Sequence, residues 1–173
     1  MEIGRKACVP FQKSRRETRF EERGALLAAL AVIGRTDEAT NPLLGTWLLD
    51  RSHSTFTPLP GPKGQMRTYE PVAGDGEKLT ARGIDTDGRP TMVQYTARYD
   101  GKDYAITGSA GGDLISLARI DEFTTRSTEK RAGKAVTVST RTVSKDGKKL
   151  TVSTKGTTAK GEVIDSVMIF TRH

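Results

Sequence analysis

Polar and apolar residues alternate with a period of two along most of the chain beyond Leu44. Thr91, Val93, Tyr95, Ala97 and Tyr99 share one phase, while Met92, Gln94, Thr96 and Arg98 share the other. Successive side chains on a strand point to opposite faces, so this spacing predicts strands with one side for a core and one for water. Farther on, Val136, Val138, Thr140 and Thr142 oppose Thr137, Ser139, Arg141 and Lys145, and Leu150 and Val152 oppose Lys149, Thr151, Ser153 and Lys155. The apolar phase gives an expected inward set of Val93, Tyr95, Tyr99, Val136, Val138, Leu150 and Val152, with the basic residues on the wet side. The expected strands are 45–50, 66–72, 77–84, 90–99, 103–107, 113–120, 123–130, 134–144, 148–156 and 162–171.

Turn signals separate these runs. Asp75-Gly76, Asp87-Gly88, Asp100-Gly101 and Asp146-Gly147 recur, with weaker signals at Gly111-Gly112, Asp121-Glu122, Ala132-Gly133 and Lys160-Gly161. Asp-Gly suits the two-residue hairpin turn, in which both central residues take positive φ. Turns spaced about 10 to 14 residues apart predict an all-β sandwich or barrel. A sequential hairpin path lets the strands close and so removes exposed edges. The expected fold is an all-β, up-and-down antiparallel meander barrel of about eight to ten strands, over residues 41–173. A non-barrel arm, residues 1–40, precedes it.

Composition refines this picture. The chain has 173 residues, 35% hydrophobic and only 6% aromatic, a length that fits one domain with a single core. The expected inward residues are short, and a barrel of this strand number can then hold one small ligand; flattening onto a packed core satisfies the same pattern. The only cysteine, Cys8, excludes an internal disulfide and any multi-cysteine metal site, and in the arm it reads as an incidental thiol. The net charge of +7 is concentrated in residues 126–160, which hold ten Lys/Arg against Glu129 and Asp146. Arg126, Lys130, Arg141, Lys145, Lys149 and Lys155, read as outward, form a candidate ridge for an anionic partner such as anionic lipid, lipopolysaccharide or nucleic acid. The competing reading is the solvated face of two hairpins.

In the arm, a basic polar run leads to the apolar stretch Ala25–Gly34. It is too short to span a bilayer, so no transmembrane segment is expected, but it matches the apolar region of an export signal. Ser14-Arg15-Arg16 faintly echoes a twin-arginine signal, and no Ala-x-Ala cleavage site follows. A short packed helix and an upstream extension from a misassigned start are the alternatives. Localisation is accordingly periplasmic or secreted on the first reading and cytoplasmic on the others.

The first strand carries Gly45-Thr46-Trp47, with the only tryptophan. Together with Ser54–Pro58, the hairpins around Asp100-Gly101 and Asp146-Gly147, and the closing Phe170-Thr171-Arg172, it resembles the lipocalin and fatty-acid-binding-protein (calycin) superfamily, and within it the small bacterial lipocalin-like proteins. The resemblance covers residues 43–173. It implies that Trp47 packs under a late-strand arginine, with Arg172 in that role as the barrel-closing pair. The fatty-acid-binding proteins hold a carboxylate through Arg-x-Tyr on the last strand, whereas this chain has Met168-Ile169-Phe170 there. Their two-helix lid is also not expected, because Pro58, Pro60 and Pro62 interrupt the connection that would hold it.

No reaction motif is present. His53, beside Asp50 and Ser52, belongs to no nucleophile-elbow pattern, and there is neither a zinc signature nor a phosphate-cradling Gly-Lys-Ser/Thr. The expected function is non-enzymatic binding of a small, mostly apolar ligand in the barrel interior. No metal, cofactor or specific nucleic-acid partner is expected, and the oligomeric state is open.

Overall fold

The computed structural model describes residues 41–173; the readings of the arm, Cys8 included, fall outside them. All the regular elements are strands: β1 (Gly45–Thr55), β2 (Gly64–Val72), β3 (Gly76–Ile84), β4 (Pro90–Arg98), β5 (Tyr104–Thr107), β6 (Leu114–Arg119), β7 (Thr124–Arg131), β8 (Lys134–Val143), β9 (Lys149–Thr157) and β10 (Val163–Arg172). Each pairs antiparallel with its neighbours in sequence, and β10 pairs back onto β1 to close a ten-stranded barrel. Closure leaves no unpaired edge. β1 runs farther than expected because its register on β10 is irregular between Asp50 and Thr55, after which Thr55 pairs with Val167.

The turns differ from the two-residue expectation. Gly88 N–H bonds Asp85 O, and Asp85 pairs with Arg89 across a three-residue loop; Gly161, Thr158 and Glu162 repeat the arrangement. At Asp87-Gly88, Asp100-Gly101 and Asp146-Gly147 only the glycine takes positive φ, as in loops where a left-handed glycine follows an ordinary turn. Among the described residues, the one two-residue turn with both φ positive is Ala132-Gly133, joining the paired Arg131 and Lys134.

A meander puts the entry to β1 and the turns after β2, β4, β6 and β8 at one end, and the remaining connections at the other. The first end is packed solid. Trp47, Phe170, Leu150, Val143 and Leu43 are buried there, each large side chain contributing roughly 1.5–3 kcal/mol. Trp47 Nε1–H donates to Leu43 O at 2.8 Å. Arg172, its register partner on β10, lies 4.2 Å from the indole and donates to the carbonyls of Gly147, Leu44 and Pro42. Gly45 is required beneath it: its φ is +118°, and a Cβ would come within 2.6 Å of Arg172 Nη1.

Candidate ligand cavity

Above the packed base the barrel is hollow, with a cavity of about 420 Å³, inside the roughly 300–1,000 Å³ range of small-molecule sites. Its two walls differ chemically. Leu79, Ala81, Val93, Ile106 and Ile115, from β3 to β6, form an apolar wall. Ser127, Glu129, Thr137, Ser139, Arg141 and Thr154, from β7 to β9, form a polar one. Pro62, Ile164 and the loop Ser109–Gly111 border the mouth at the end opposite Trp47.

The floor is an ion pair. Arg141 is 2% exposed and Glu77 fully buried, and Arg141 Nη1 donates to Glu77 Oε1. Tyr95 OH donates to the same oxygen at 2.5 Å, and Tyr99 OH donates to Oε2. Arg141 Nη1 also donates to Tyr95 OH at 2.8 Å, and its guanidinium lies 5.6 Å from the Tyr69 ring. Burial pushes both tyrosines up, and the Glu77 charge pushes them further. For Arg141, burial by itself favours the neutral form, but Glu77 and the surrounding tyrosines more than offset it and hold the guanidinium protonated. Arg141 Nε and Nη2 are buried and have no hydrogen-bond partner among the described residues. Buried donors left unpaired cost about 1–3 kcal/mol each, and these two lie sealed beneath the cavity surface, so an acceptor on a ligand satisfies them only where the covering side chains shift.

Arg67 on β2 also lines the cavity, stacked 4.9 Å over Phe170, with Nε donating to Gln65 Oε1 at 2.8 Å. It has no acidic partner among the described residues. No group of three His, Cys, Asp or Glu side chains converges there to hold a metal ion.

The structure redistributes the sequence-derived site. Val93 and Tyr95 line the cavity, and Tyr99 lies beneath it on Glu77. Leu150 and Val152 are buried but belong to the core rather than to the lining. Val136 and Val138 are corrections. The β8 register on β7 passes over Val136, which is only half-buried, and Val138 is 39% exposed on the outer wall. The inward phase of β8 is Thr137, Ser139, Arg141 and Val143. The phase is reversed because Val143 faces the base opposite Leu150, which carries Arg141 inward with it.

Arg141 is therefore not a surface cation. Of the other members of the basic ridge, Lys130 is engaged by Asp103 at 2.7 Å and Lys155 by Asp165 at 3.1 Å, while Arg126, Lys145 and Lys149 are exposed. His53 is exposed at the β1 irregularity, with Nδ1 2.7 Å from Asp50 Oδ2. Hydrogen bonds from Ser52 and then His53 hold the Asp50 carboxyl below its usual range. The cluster holds the backbone at an irregular strand and faces no cavity.

Glu77, Arg67 and Glu129 were absent from the sequence-derived site. Each carried a signal: Glu77 is in phase with Leu79 and Ala81, Arg67 with Tyr69, and Glu129 with Ser127. A charge on the buried phase of its own strand marks an interior polar group.

No protein-family model matches the chain, and no curated protein sequence does. Among solved structures, the wild-type fluorescent protein UnaG aligns with a TM-score of 0.52 at 16% identity, over 76% of this chain and 97% of that one. A single-residue mutant of UnaG aligns with a TM-score of 0.50 at 15% identity, over 76% and 96%. At such identity the likeness is one of fold alone: a closed antiparallel β-barrel.

Proposed function

We propose that the barrel interior binds a small, mostly apolar molecule carrying one acceptor oxygen, and does so without chemistry. The apolar body lies against Leu79, Val93, Ile106 and Ile115, and the oxygen, from a carbonyl or an acid group, accepts from Arg141 Nε and Nη2 by displacing the side chains that cover them. The unpaired donors of a buried arginine that lines a 420 Å³ cavity carry this reading. The calycin-like fold supports it as an architecture in which an interior cavity is the usual ligand site. The absence of a reaction motif from the sequence is what makes it a binding role.

Anilinonaphthalene sulfonate, an apolar fluorophore with an acidic oxygen group, tests the proposal on the full chain. Binding should be saturable at one site. Arg141→Met combined with Glu77→Gln removes the donors without leaving a buried unpaired charge, and should weaken binding about tenfold, the effect of losing one charge-assisted hydrogen bond. Non-saturable binding, or equal affinity for a double variant that circular dichroism shows to be folded, would overturn it.

A further inference from the structure

Glu129 is a charged group that the floor of the cavity does not explain. It sits on the inward phase of β7 with Thr125 and Ser127, and it lines the cavity on the side of the mouth. Ser109 Oγ donates to its Oε2 at 2.7 Å and accepts from Gly111 N–H at 3.0 Å. The loop lies close over the carboxylate, since a Cβ on Gly111 would fall 2.2 Å from Oε2. Arg131, two residues on, spends Nη2 on Ala110 O at 2.5 Å, and the adjacent Lys130 is held by Asp103. Among the described residues no cation pairs with Glu129, and Ser109 is its only donor. An ionised carboxylate can accept about four hydrogen bonds, and Oε1 has no partner among the described residues.

The two poles of the cavity are well separated. Glu129 pairs with Thr137 on β8, four residues before Arg141, and at about 3.3 Å per residue the two levels lie about 13 Å apart. Arg67 adds a positive charge with no acidic partner among the described residues, while the positive charge of Arg141 is already balanced by Glu77. Positive potential therefore sits toward the floor and negative potential at the mouth, with apolar wall between.

Building on the reading above, we propose that Glu129 and Ser109 form a second polar subsite, which takes a hydrogen-bond donor, such as a primary amine, at the outer end of the ligand. The ligand class becomes an elongated molecule with an acceptor at one end and a donor at the other. Ser109 orients the carboxylate, and the glycine at 111 lets the loop approach it closely. A carboxylate is well suited here because a charge-assisted hydrogen bond is about twice as strong as a neutral one.

Medium-chain ω-amino carboxylates and alkanoates of the same length, displacing anilinonaphthalene sulfonate from the full chain, test the subsite. Glu129→Gln keeps an oxygen to accept from Ser109, and so keeps the loop anchored, while removing the charge. It should weaken the ω-amino carboxylate about tenfold and leave the alkanoate within twofold. Equal weakening of both, or of neither, would show Glu129 to be a loop anchor only and would overturn the subsite. If the fluorophore binds saturably but neither probe displaces it, the donor–acceptor ligand class is wrong while the cavity reading stands. If the fluorophore itself does not saturate, the cavity reading fails first and the subsite with it.

Discussion

Arg141→Met is the most informative single perturbation of stability. The pair it breaks is 2% and 0% exposed, and removing one partner of a buried ion pair costs about 3–5 kcal/mol, because the other charge stays buried without compensation. Here the loss belongs at the lower end of that range. Tyr95 and Tyr99 still donate to Glu77, and methionine refills most of the volume. A cost of about 3 kcal/mol corresponds to a fall in melting temperature of roughly 6–12 °C for a domain of this size. Adding Glu77→Gln should recover about 2 kcal/mol, since the amide oxygen accepts from one tyrosine, the amide NH2 donates to the other hydroxyl, and no bare charge remains.

Urea unfolding followed by the fluorescence of Trp47, the only tryptophan, measures the parent chain and both variants, with calorimetry as the second probe. A loss below about 1 kcal/mol for Arg141→Met would mean that the pair carries little coupling. A double variant no more stable than the single one would mean that lost packing, not an uncompensated Glu77, causes the damage. Either result would refute the electrostatic account of the floor.

Two further outcomes follow from the same geometry. Tyr95 and Tyr99 have folded-state pKa values above their ordinary value near 10, so between that value and the folded one the native state binds more protons than the unfolded chain, and stability falls as pH rises. Urea midpoints between pH 8 and 11.5 should decline at the alkaline end, and Tyr95→Phe with Tyr99→Phe should flatten that decline; an unchanged slope would contradict the assignment. On the walls, Val138→Lys should alter stability by less than about 0.5 kcal/mol because the side chain points outward, whereas Val152→Lys should fail to give a cooperative thermal transition.

The ten strands were legible from alternation and turn chemistry because both are local: each observed strand overlaps its expected range, and the boundaries differ mainly where β1 and β2 extend around the proline-rich connection. Turn geometry was less legible, since the expected φ > 0 at both central residues is found at Ala132-Gly133 and not at the Asp-Gly pairs. At the base, Arg172 lies over Trp47, its register partner across β1 and β10. The interior polar groups depend on which phase of a strand faces inward, and hydrophobicity alone decides that poorly on a Thr-rich strand. β8 offers two valines at 136 and 138 on one phase and only Val143 on the other, so counting apolar residues favours the wrong face.

Cross-strand register decides the matter, and it was within reach. An Asp146-Gly147 hairpin pairs Val143 with Leu150, as observed, and directly opposed residues share a face. Leu150 and Val152 are inward by the alternation of β9, so Val143 must be inward, and a period of two then places Arg141, Ser139 and Thr137 inward as well. A one-step slip would flip every one of these residues. Once Arg141 is inside, a buried guanidinium needs a buried acid, and among the strands across the barrel Glu77 is the carboxylate in phase with Leu79 and Ala81. The same test applied to β7 puts Glu129 inside with Ser127, and there no buried cation answers it. That asymmetry, one interior acid satisfied and one not, ties the fold to the proposed ligand.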